Sequence, residues 1–353
     1  MVVIILNLLY KTFYKTFYQN NKIYILIYVF DNMLDVKDWK ILYELDINAR
    51  QSNSEIGKKV GLSKEVVNYR VKRLLDDGII KGFYTVIDAS KLGYINGRLF
   101  LKFQNLSPKK EDEIINYFIK NKKFWWVDSI DGFRDLGVAC WVKDTQEFYK
   151  EKELFLLKYR KYVEEINEAI YYKFNTLTRD YLIKKQLRTN KPILLCYSSC
   201  GDIDKIDKKI LLEISDNARQ EIVSISNKLN STPSIISYRI KKMQNFGVIK
   251  GYKAMINLLK IDYYWYKIEF ELSDLSFKEK LLDYCKTHPN IIYTYETIGG
   301  ADLEIELEVK SYEDFRKILD EIKSKFYQGI KSYKHLLWYK ERKIRFIPED
   351  LLG

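Results

Sequence analysis

The chain of 353 residues is 47% hydrophobic and 31% charged, and it contains five prolines. This composition supports packed cores and excludes a disordered or low-complexity chain, and the length allows two to four domains. The formal net charge of +12 favours a polyanionic partner, with nucleic acid ahead of a membrane surface.

Residues 1–33 form an N-terminal extension ahead of the regular part of the chain. Its two apolar runs, residues 1–10 and 23–30, are much shorter than the roughly 20 residues that a membrane-spanning helix needs. The extension also lacks the basic start and the small-residue cleavage site of a secretory signal. Two interpretations follow: either the protein starts at Met33, or the segment is an accessory hairpin.

Beyond the extension, the sequence contains one pattern twice. Residues 34–84 align without a gap onto residues 203–253, at a constant offset (203 − 34 = 169). Later the alignment continues with Gly132 on Gly299 and Asp135 on Asp302 (299 − 132 = 167), which we interpret as a loss of two residues near Tyr263. A repeat this long indicates two duplicated units rather than a solenoid.

Each copy opens with a predicted helix-turn-helix. In the first copy, Asp35 and Ser63 are the expected N-caps of the first and third helices, and Gly78 ends the third. Residues 79–86 then follow as a strand pair, the wing. Apolar residues at helical spacing predict six inward positions: Ile41, Leu42, Leu45, Val67, Val71 and Leu74.

The second copy has the same pattern with different residues. Thr232 is the expected cap of its third helix, Pro233 occupies the first helical position, where a missing N–H costs nothing, and Gly247 ends the helix. Its predicted inward residues are Ile236, Ile240 and Met243.

Each helix-turn-helix is followed by a β-α-β-β-α-β pattern, which is typical of a ferredoxin-like domain. In the first copy its elements are expected at residues 99–104, 108–120, 124–130, 136–142, 144–159 and 163–174. The predicted fold class is therefore α+β, with two winged helix-turn-helix domains (34–90 and 203–258), each followed by a ferredoxin-like domain (91–183 and 259–353). Residues 184–202 are the expected linker.

The four cysteines do not follow a metal-binding or disulfide pattern. Cys140 lies in an apolar strand and Cys285 in a helix, where we expect small buried hydrophobes. Cys196 and Cys200 form a lone pair in the linker without a nearby histidine. We therefore expect reduced thiols in a cytoplasmic protein, with no metal and no cofactor.

Several motifs of the first copy resemble the Lrp/AsnC family of archaeal and bacterial transcription regulators. They are Leu-Asp-x-x-Asp-x-x-Ile-Leu, Asn-Ala-Arg, Tyr-Arg-Val-Lys and Gly-Ile-Ile-Lys-Gly-Phe, followed by Gly-x-x-Asp-Leu. Members of that family usually carry one DNA-binding and one ferredoxin-like domain and dimerise through the latter. This chain thus resembles both halves of a dimer on one polypeptide, and the halves are expected to pair either within a chain or between chains.

The resemblance implies that the third helix of each module enters the major groove of double-stranded DNA. Asn68 and Ser237 are equivalent, and their difference predicts unlike half-sites. Arg70 and Arg239 have an alternative role in internal ion pairs. The residues expected to face DNA are Ser63, Lys64, Asn68, Tyr69, Arg70, Lys72 and Arg73, with Thr232, Ser234, Ser237, Tyr238, Arg239, Lys241 and Lys242.

The two recognition helices differ in charge. No acidic residue lies between Thr232 and Phe246, whereas Glu65, Asp76 and Asp77 oppose the basic residues of the first helix. We therefore expect the second module to supply more of the sequence-independent affinity for DNA.

The resemblance also implies an effector site, often for an amino acid, at the Gly-x-x-Asp loops: Gly132, Asp135, Gly299 and Asp302. A small effector there would shift pairing or higher assembly and so DNA occupancy. Residues 299–301 (Gly-Gly-Ala) lack the bulk of residues 132–134 (Gly-Phe-Arg), so the two loops are not expected to bind one ligand identically.

Two other functions compete with DNA binding. The siroheme decarboxylases share this two-domain architecture, but the chain has only two histidines, His288 and His335, and no catalytic constellation is recognisable, so no catalytic residue is predicted. A ligand-binding protein without DNA contact is the other alternative. The aromatic runs at 125–126 and 263–266 are expected to pack from sheet faces onto helices or onto a partner sheet rather than stack on single-stranded nucleic acid.

Overall fold

A computed structural model of the chain describes residues 12–19, 22–29, 34–196 and 201–352. In the extension, strand β1 (Thr12–Gln19) pairs antiparallel with β2 (Lys22–Val29), in agreement with the accessory-hairpin interpretation. The expected thiols of Cys196 and Cys200 lie outside the described side chains. Within the described ranges, no helix has the length and apolar composition that crossing a membrane would require.

The first winged module begins with helices α1 (Val36–Ile47), α2 (Asn53–Val60) and α3 (Lys64–Asp76). Asp35 and Ser63 accept hydrogen bonds from backbone N–H groups in the first turns of α1 and α3, so both predicted caps are confirmed. At Gly78 the backbone adopts φ +68°, a left-handed conformation that suits glycine after a helix end. All six predicted inward side chains are buried.

The first ferredoxin-like domain follows strand β3 (Ile80–Ile87). Its elements are β4 (Ile95–Phe103), α4 (Pro108–Lys120), β5 (Phe124–Gly132), β6 (Leu136–Val142), α5 (Thr145–Tyr159) and β7 (Val163–Thr176). The strand order β5-β6-β4-β7 is that of a ferredoxin-like sheet, as predicted. Cys140 is buried in its core.

The described part of the segment expected as a linker, residues 184–196, is structured. Its residues Ile193–Cys196 form strand β8, which pairs with the end of β7. Arg188 is buried and donates hydrogen bonds to the backbone carbonyls of Thr178 and Ile291. Strand β8 therefore extends the first-copy sheet, and the buried guanidinium of Arg188 joins the two copies.

The second copy repeats the first. It contains α6 (Lys205–Ser215), α7 (Ile222–Lys228), α8 (Pro233–Asn245), β9 (Ile249–Ile256), β10 (Tyr264–Leu272), α9 (Phe277–Thr287), β11 (Ile291–Ile298), β12 (Leu303–Val309), α10 (Tyr312–Phe326) and β13 (Ile330–Ile344). Thr232 caps α8 with Pro233 in the first helical position, and the three predicted inward residues are buried. Cys285 is buried as well.

The two-residue loss between the copies is not near Tyr263, and that prediction was wrong. Strands β4 and β10 keep the first offset (264 − 95 = 169), whereas β5 and β11 have the second (291 − 124 = 167). The loss therefore falls between these strands, where α9 has 11 residues and α4 has 13. A shorter helix removes two residues without changing the register of any strand.

The predicted wing, a strand pair within each copy, was also wrong. Residues 80–87 form the single strand β3, and its partner is β9 of the other copy. Tyr84 lies opposite Lys253 in this antiparallel ribbon, and these residues are equivalent in the repeat (253 − 84 = 169). A local twofold axis therefore passes through the ribbon, which we call the central ribbon.

The repeated Asn-Ala-Arg tripeptide locks the two modules across this axis. The N–H of Ala49 donates to the carbonyl of Tyr252, and the N–H of Ala218 donates to that of Phe83. The guanidinium of Arg219 donates to the carbonyl of Ala49 at 3.1 Å, and Arg50 makes the equivalent bond to Ala218. The tripeptide thus holds the two copies in contact.

The two ferredoxin-like sheets are joined at both edges. The end of β7 pairs with β11, and the end of β13 pairs with β5, so eight of the described strands close into a barrel. Trp126 of the first copy packs edge-to-face on Trp338 of the second at 4.8 Å, and Trp125 stacks on Trp141 at 5.1 Å. The two copies therefore pair within the chain, and Trp126 packs on the partner sheet, one of the two roles expected for these aromatic residues.

A buried ionic cluster lies on one side of the axis. The carboxylate of Asp46 accepts from the guanidinium of Arg179 at 2.7 Å and lies 3.1 Å from the ammonium of Lys253. Arg179 also donates two hydrogen bonds of 2.8 Å to Glu308. All four side chains are buried, so each charge is compensated where water cannot reach it.

The other side of the axis is uncharged at the equivalent positions. Ser215 replaces Asp46, Phe346 replaces Arg179, and Tyr84 replaces Lys253. The rings of Tyr84 and Phe346 stack at 3.9 Å. The duplicated copies have therefore diverged to an ionic cluster on one side and an aromatic stack on the other.

Because of the ionic cluster, replacing Asp46 by Ala should lower the free energy of unfolding more than the same change at the equivalent Ser215. Replacing Asp46 by Ala leaves two buried cations short of a partner, which should lower the free energy of unfolding by about 3–5 kcal/mol. The matched control is Ser215→Ala, whose hydroxyl only donates to Leu212 of its own helix at 3.2 Å and should cost about 1 kcal/mol or less. Urea unfolding followed by tryptophan fluorescence measures both, and equal losses would contradict the ionic account.

The same cluster predicts a pH dependence. Burial alone would raise the pKa of Asp46, but Lys253 and Arg179 outweigh it and hold this pKa below its usual value. A lowered folded pKa contributes stability above the unfolded pKa, about 3.9, and this stability is lost as the pH falls through the folded pKa. The stability gap between wild type and Asp46→Ala should therefore be constant above about pH 5 and narrow below that, while the gap to Ser215→Ala stays unchanged.

Candidate nucleic-acid interface and effector loops

The outer faces of α3 and α8 carry the predicted DNA contacts. Each module has seven predicted contact residues, beginning at the N-cap of the recognition helix, and most of their side chains are exposed. Tyr69 and Tyr238, at equivalent positions, are 66% and 69% exposed. Large exposed aromatic rings that recur in both copies indicate a surface built to be covered.

The arginines at equivalent positions of these helices form ion pairs inside each module. Arg70 donates to Asp35 at 2.7 Å and to Asp38 at 2.8 Å, and Arg239 makes the equivalent pairs with Asp204 and Asp207. The structure thus contains the ion pairs that were the alternative role of both arginines. Arg73 also pairs with Asp38 at 2.6 Å. Contact of these three arginines with DNA stays a prediction.

Four lysines of the recognition helices, in contrast to these arginines, lie outside the ion pairs of the modules. Lys64, Lys72, Lys241 and Lys242 form no ion pair with any described residue. The first three are exposed, and Lys242 is half-buried with its ammonium 5.8 Å from the ring of Phe246. Flexible unpaired ammonium groups at a helix surface suit phosphate contact.

The two candidate base-reading residues, Asn68 and Ser237, differ in the contacts that hold them. The amide oxygen of Asn68 accepts from Asn53 at 3.2 Å, and Asn53 in turn accepts from Arg219 of the other copy at 2.7 Å. Ser237 is exposed at the equivalent position of α8. The orientation of Asn68 is thus tied to the contact between the copies, which the sequence alone did not indicate.

The two Gly-x-x-Asp loops have the same backbone role. Asp135 accepts from the N–H of Phe103 at 2.6 Å, and Asp302 accepts from the N–H of Leu272 at 2.8 Å. Gly132 and Gly299 adopt φ +141° and +87°, conformations that L side chains rarely adopt. The aspartates therefore fasten the loops to β4 and β10, and effector contact by these four residues stays a prediction.

The cavities beside the loops differ from each other. A cavity of about 540 Å³ includes Asp135, Asp131 and Arg342, and one of about 330 Å³ includes Gly299, Arg134 and Glu269. In the second cavity, burial raises the pKa of Glu269, and one of its carboxylate oxygens has no hydrogen-bond partner among the described residues. The expectation that the two loops present unlike sites agrees with these linings.

The two histidines lie on different elements of the second copy, and the backbone of His335 lies beside Gly132 of the first loop. His288 follows α9 and accepts from the N–H of Asn290 at 3.2 Å, and burial lowers its pKa to about 4. His335 lies in β13 with its ring 5.0 Å from that of Phe315. Neither lines any of the cavities described here.

Comparison with known proteins agrees with this geometry. A family model described as winged helix-turn-helix DNA-binding matches residues 34–81 and 203–250. An uncharacterised HTH-type transcriptional regulator of Pyrococcus furiosus is 30% identical over 131 residues, which are 36% of this chain and 84% of that protein. The chain belongs to the Lrp/AsnC family of DNA-binding transcription regulators.

Other relatives match a similar share of the chain. The transcriptional regulator AzlB of Bacillus subtilis is 35% identical over 119 residues, 33% of this chain and 74% of that protein. The match of the family model at residues 34–81 and again at 203–250 shows that the DNA-binding unit is present twice.

The full two-copy arrangement has a counterpart among solved structures. The siroheme decarboxylase NirDL covers 90% of this chain and 96% of its own, with a TM-score of 0.60 and 14% sequence identity. At this identity the likeness concerns the fold alone. It shows that two winged helix-turn-helix and two ferredoxin-like domains are a recurrent arrangement.

Proposed function

We propose that this Lrp/AsnC protein regulates transcription by binding specific double-stranded DNA with both recognition helices of a single chain. The observation that carries this proposal is the central ribbon. It begins four residues after each recognition helix and fixes the two modules about one axis. DNA as the partner would place the working protein in the cytoplasm.

The contacts divide into positioning and reading. Lys64, Lys72, Lys241 and Lys242 would bind phosphates, since they are unpaired within the described chain and flexible. Asn68 and Ser237 would read base edges; an asparagine amide matches adenine in the major groove, whereas a serine is less selective. Arg70 and Arg239 would keep each recognition helix on α1 and α6. Half-sites about 34–36 Å apart on one DNA face would suit two such helices.

An amino-acid effector is the second part of the proposal. The 330 Å³ cavity combines the guanidinium of Arg134 with the carboxylates of Glu269 and Glu271. A guanidinium suits a ligand carboxylate, and the glutamates suit an ammonium group, so a zwitterion matches both ends. The 540 Å³ cavity has a different set of charges, and we assign it no common ligand.

A decarboxylase function is less well supported. General acid–base chemistry and haem-type ligation draw on histidine, and the two histidines here are in the second copy, outside the cavities. The pKa of His288 near 4 keeps it neutral at physiological pH. We therefore propose a non-catalytic role.

The charge difference between the recognition helices gives a direct test. Lys241→Glu with Lys242→Glu should weaken binding to a cognate duplex more than Lys64→Glu with Lys72→Glu, although both variants change the net charge equally. Each lost phosphate contact should also reduce the salt slope, log Kd against log salt, by about 1. Fluorescence anisotropy from 50 to 200 mM salt measures both quantities, and equal effects would contradict unequal modules.

The function itself is tested by selection from fragmented genomic DNA of the source cell at moderate salt. Enrichment of a few promoter fragments that share two unlike half-sites about one helical turn apart is the expected result. Uniform retention would indicate an architectural binder. No retention by folded protein would contradict DNA binding and favour the ligand-binding or decarboxylase alternatives.

A further inference from the structure

An aromatic chamber lies between the two sheets, beneath the central ribbon. Its volume is about 120 Å³. It is distinct from the cavities beside the Gly-x-x-Asp loops, and no residue of those loops lines it. The rings around it include Trp125, Trp141, Trp265, Tyr293, Tyr295 and Phe346.

One carboxylate faces this chamber, and it belongs to a row of three. Glu304, Glu306 and Glu308 alternate along β12, so they share one face of the strand, and all three are buried. The equivalent residues of β6 are glycine, alanine and tryptophan (306 − 139 = 167). The row is therefore a property of the second copy alone.

The outer two carboxylates of the row are fully paired. Glu304 accepts from Arg98 at 2.8 Å and lies 2.7 Å from the ammonium of Lys267. Glu308 accepts two bonds from Arg179 and one from the hydroxyl of Tyr181. These contacts leave neither carboxylate free for a ligand.

The middle carboxylate is different. One oxygen of Glu306 is 3.4 Å from Lys267, whose closer partner is Glu304. The other oxygen, Oε2, is buried without a hydrogen bond from any described residue. The nearby hydroxyl of Tyr295 favours the charged carboxylate without bonding to Oε2, but burial dominates and raises the pKa of Glu306. An acceptor left unsatisfied in a buried aromatic setting is costly unless something binds it.

The cations of the barrel interior leave Glu306 without a close partner of its own. Arg98 and Lys267 are closest to Glu304, and Arg134 lies beside Glu269. The ionic cluster at the central ribbon, in contrast, has two of each sign. Glu306, the acid without a close cation of its own, lines the chamber.

We propose that this chamber binds a small organic ammonium ion with an apolar body, held by Glu306 and by the faces of the surrounding rings. Tryptophan and tyrosine faces attract cations, and cages of such rings recognise ammonium ligands. An engineered protein cavity of about 150 Å³ admits benzene. The chamber, at about 120 Å³, is somewhat smaller, so it suits an apolar body of at most one aromatic ring. An anion would meet the unpaired carboxylate, and a metal ion would need several oxygen ligands.

A second cavity adjoins the chamber. Its volume is about 320 Å³, and it shares Tyr84, Trp265, Tyr293, Ile344 and Phe346 with the chamber. Asp128 lines this second cavity, and its Oδ1 is buried without a partner among the described residues. A second unpaired acidic group therefore lies close to the chamber.

Calorimetric titration of the full chain with phenethylammonium chloride and with 2-phenylethanol tests the proposal. The two probes share one apolar body and differ in the cationic group. The ammonium ion should bind at least about tenfold more tightly, since a charge-assisted hydrogen bond in a buried site supplies the difference. Equal affinities, a preference for the alcohol, or no binding of either at millimolar concentration would overturn it.

Two matched variants locate the site. Glu306→Gln keeps the shape and should abolish the preference for the ammonium ion. Glu151→Gln changes another buried glutamate, which accepts from Asn121 at 2.9 Å and does not line the chamber, and it should keep the preference. Unchanged discrimination in Glu306→Gln would overturn the assignment, and the wild-type comparison stands even where a variant fails to fold.

The central ribbon, which connects to both recognition helices, forms one wall of the chamber. An effect of the bound ammonium ion on DNA binding therefore rests on the proposed function. The titration uses no DNA. Failure of ligand binding and failure of DNA binding are therefore separate results.

Discussion

The antiparallel pairing of β3 with β9 is the constraint on which the structure depends. It places equivalent residues, Tyr84 and Lys253, opposite each other, and so sets a twofold relation between the modules. The Asn-Ala-Arg contacts and the closed barrel obey the same axis. Because both partners belong to one chain, this pairing does not depend on protein concentration.

Fusion of the two copies permits an asymmetry that a symmetric dimer cannot have. In a homodimer every substitution occurs on both sides of the axis. Here Asp46 and Lys253 form ion pairs on one side, while Ser215 and Tyr84 occupy the other. The glutamates of β12 likewise have uncharged residues at the equivalent positions of β6. The recognition helices follow the same principle, with unlike charges and an Asn68 to Ser237 difference that suits unlike half-sites.

Local signals were sufficient for most elements of the fold and insufficient for their pairing. The cap at Ser63, helix α4 and strand β6 follow from residues within a few positions of each other, and their predicted positions agree with the structure. The wing was mispredicted because the partner of β3 lies 169 residues away, beyond the reach of periodicity. The two-residue loss was misplaced because β4 and β10 align mostly through unlike residues, such as Gly97 and Tyr266. The alternating glutamates of β12 were the one sequence sign of a charged interior.

The central claim is that one chain supplies both DNA readers. Native mass spectrometry of the protein with a duplex enriched from genomic DNA measures this most directly, together with a matched duplex in which one half-site is scrambled. The account predicts one chain per intact duplex and a large loss of affinity for the scrambled one. Two chains per intact duplex, each protecting one half-site, would contradict it.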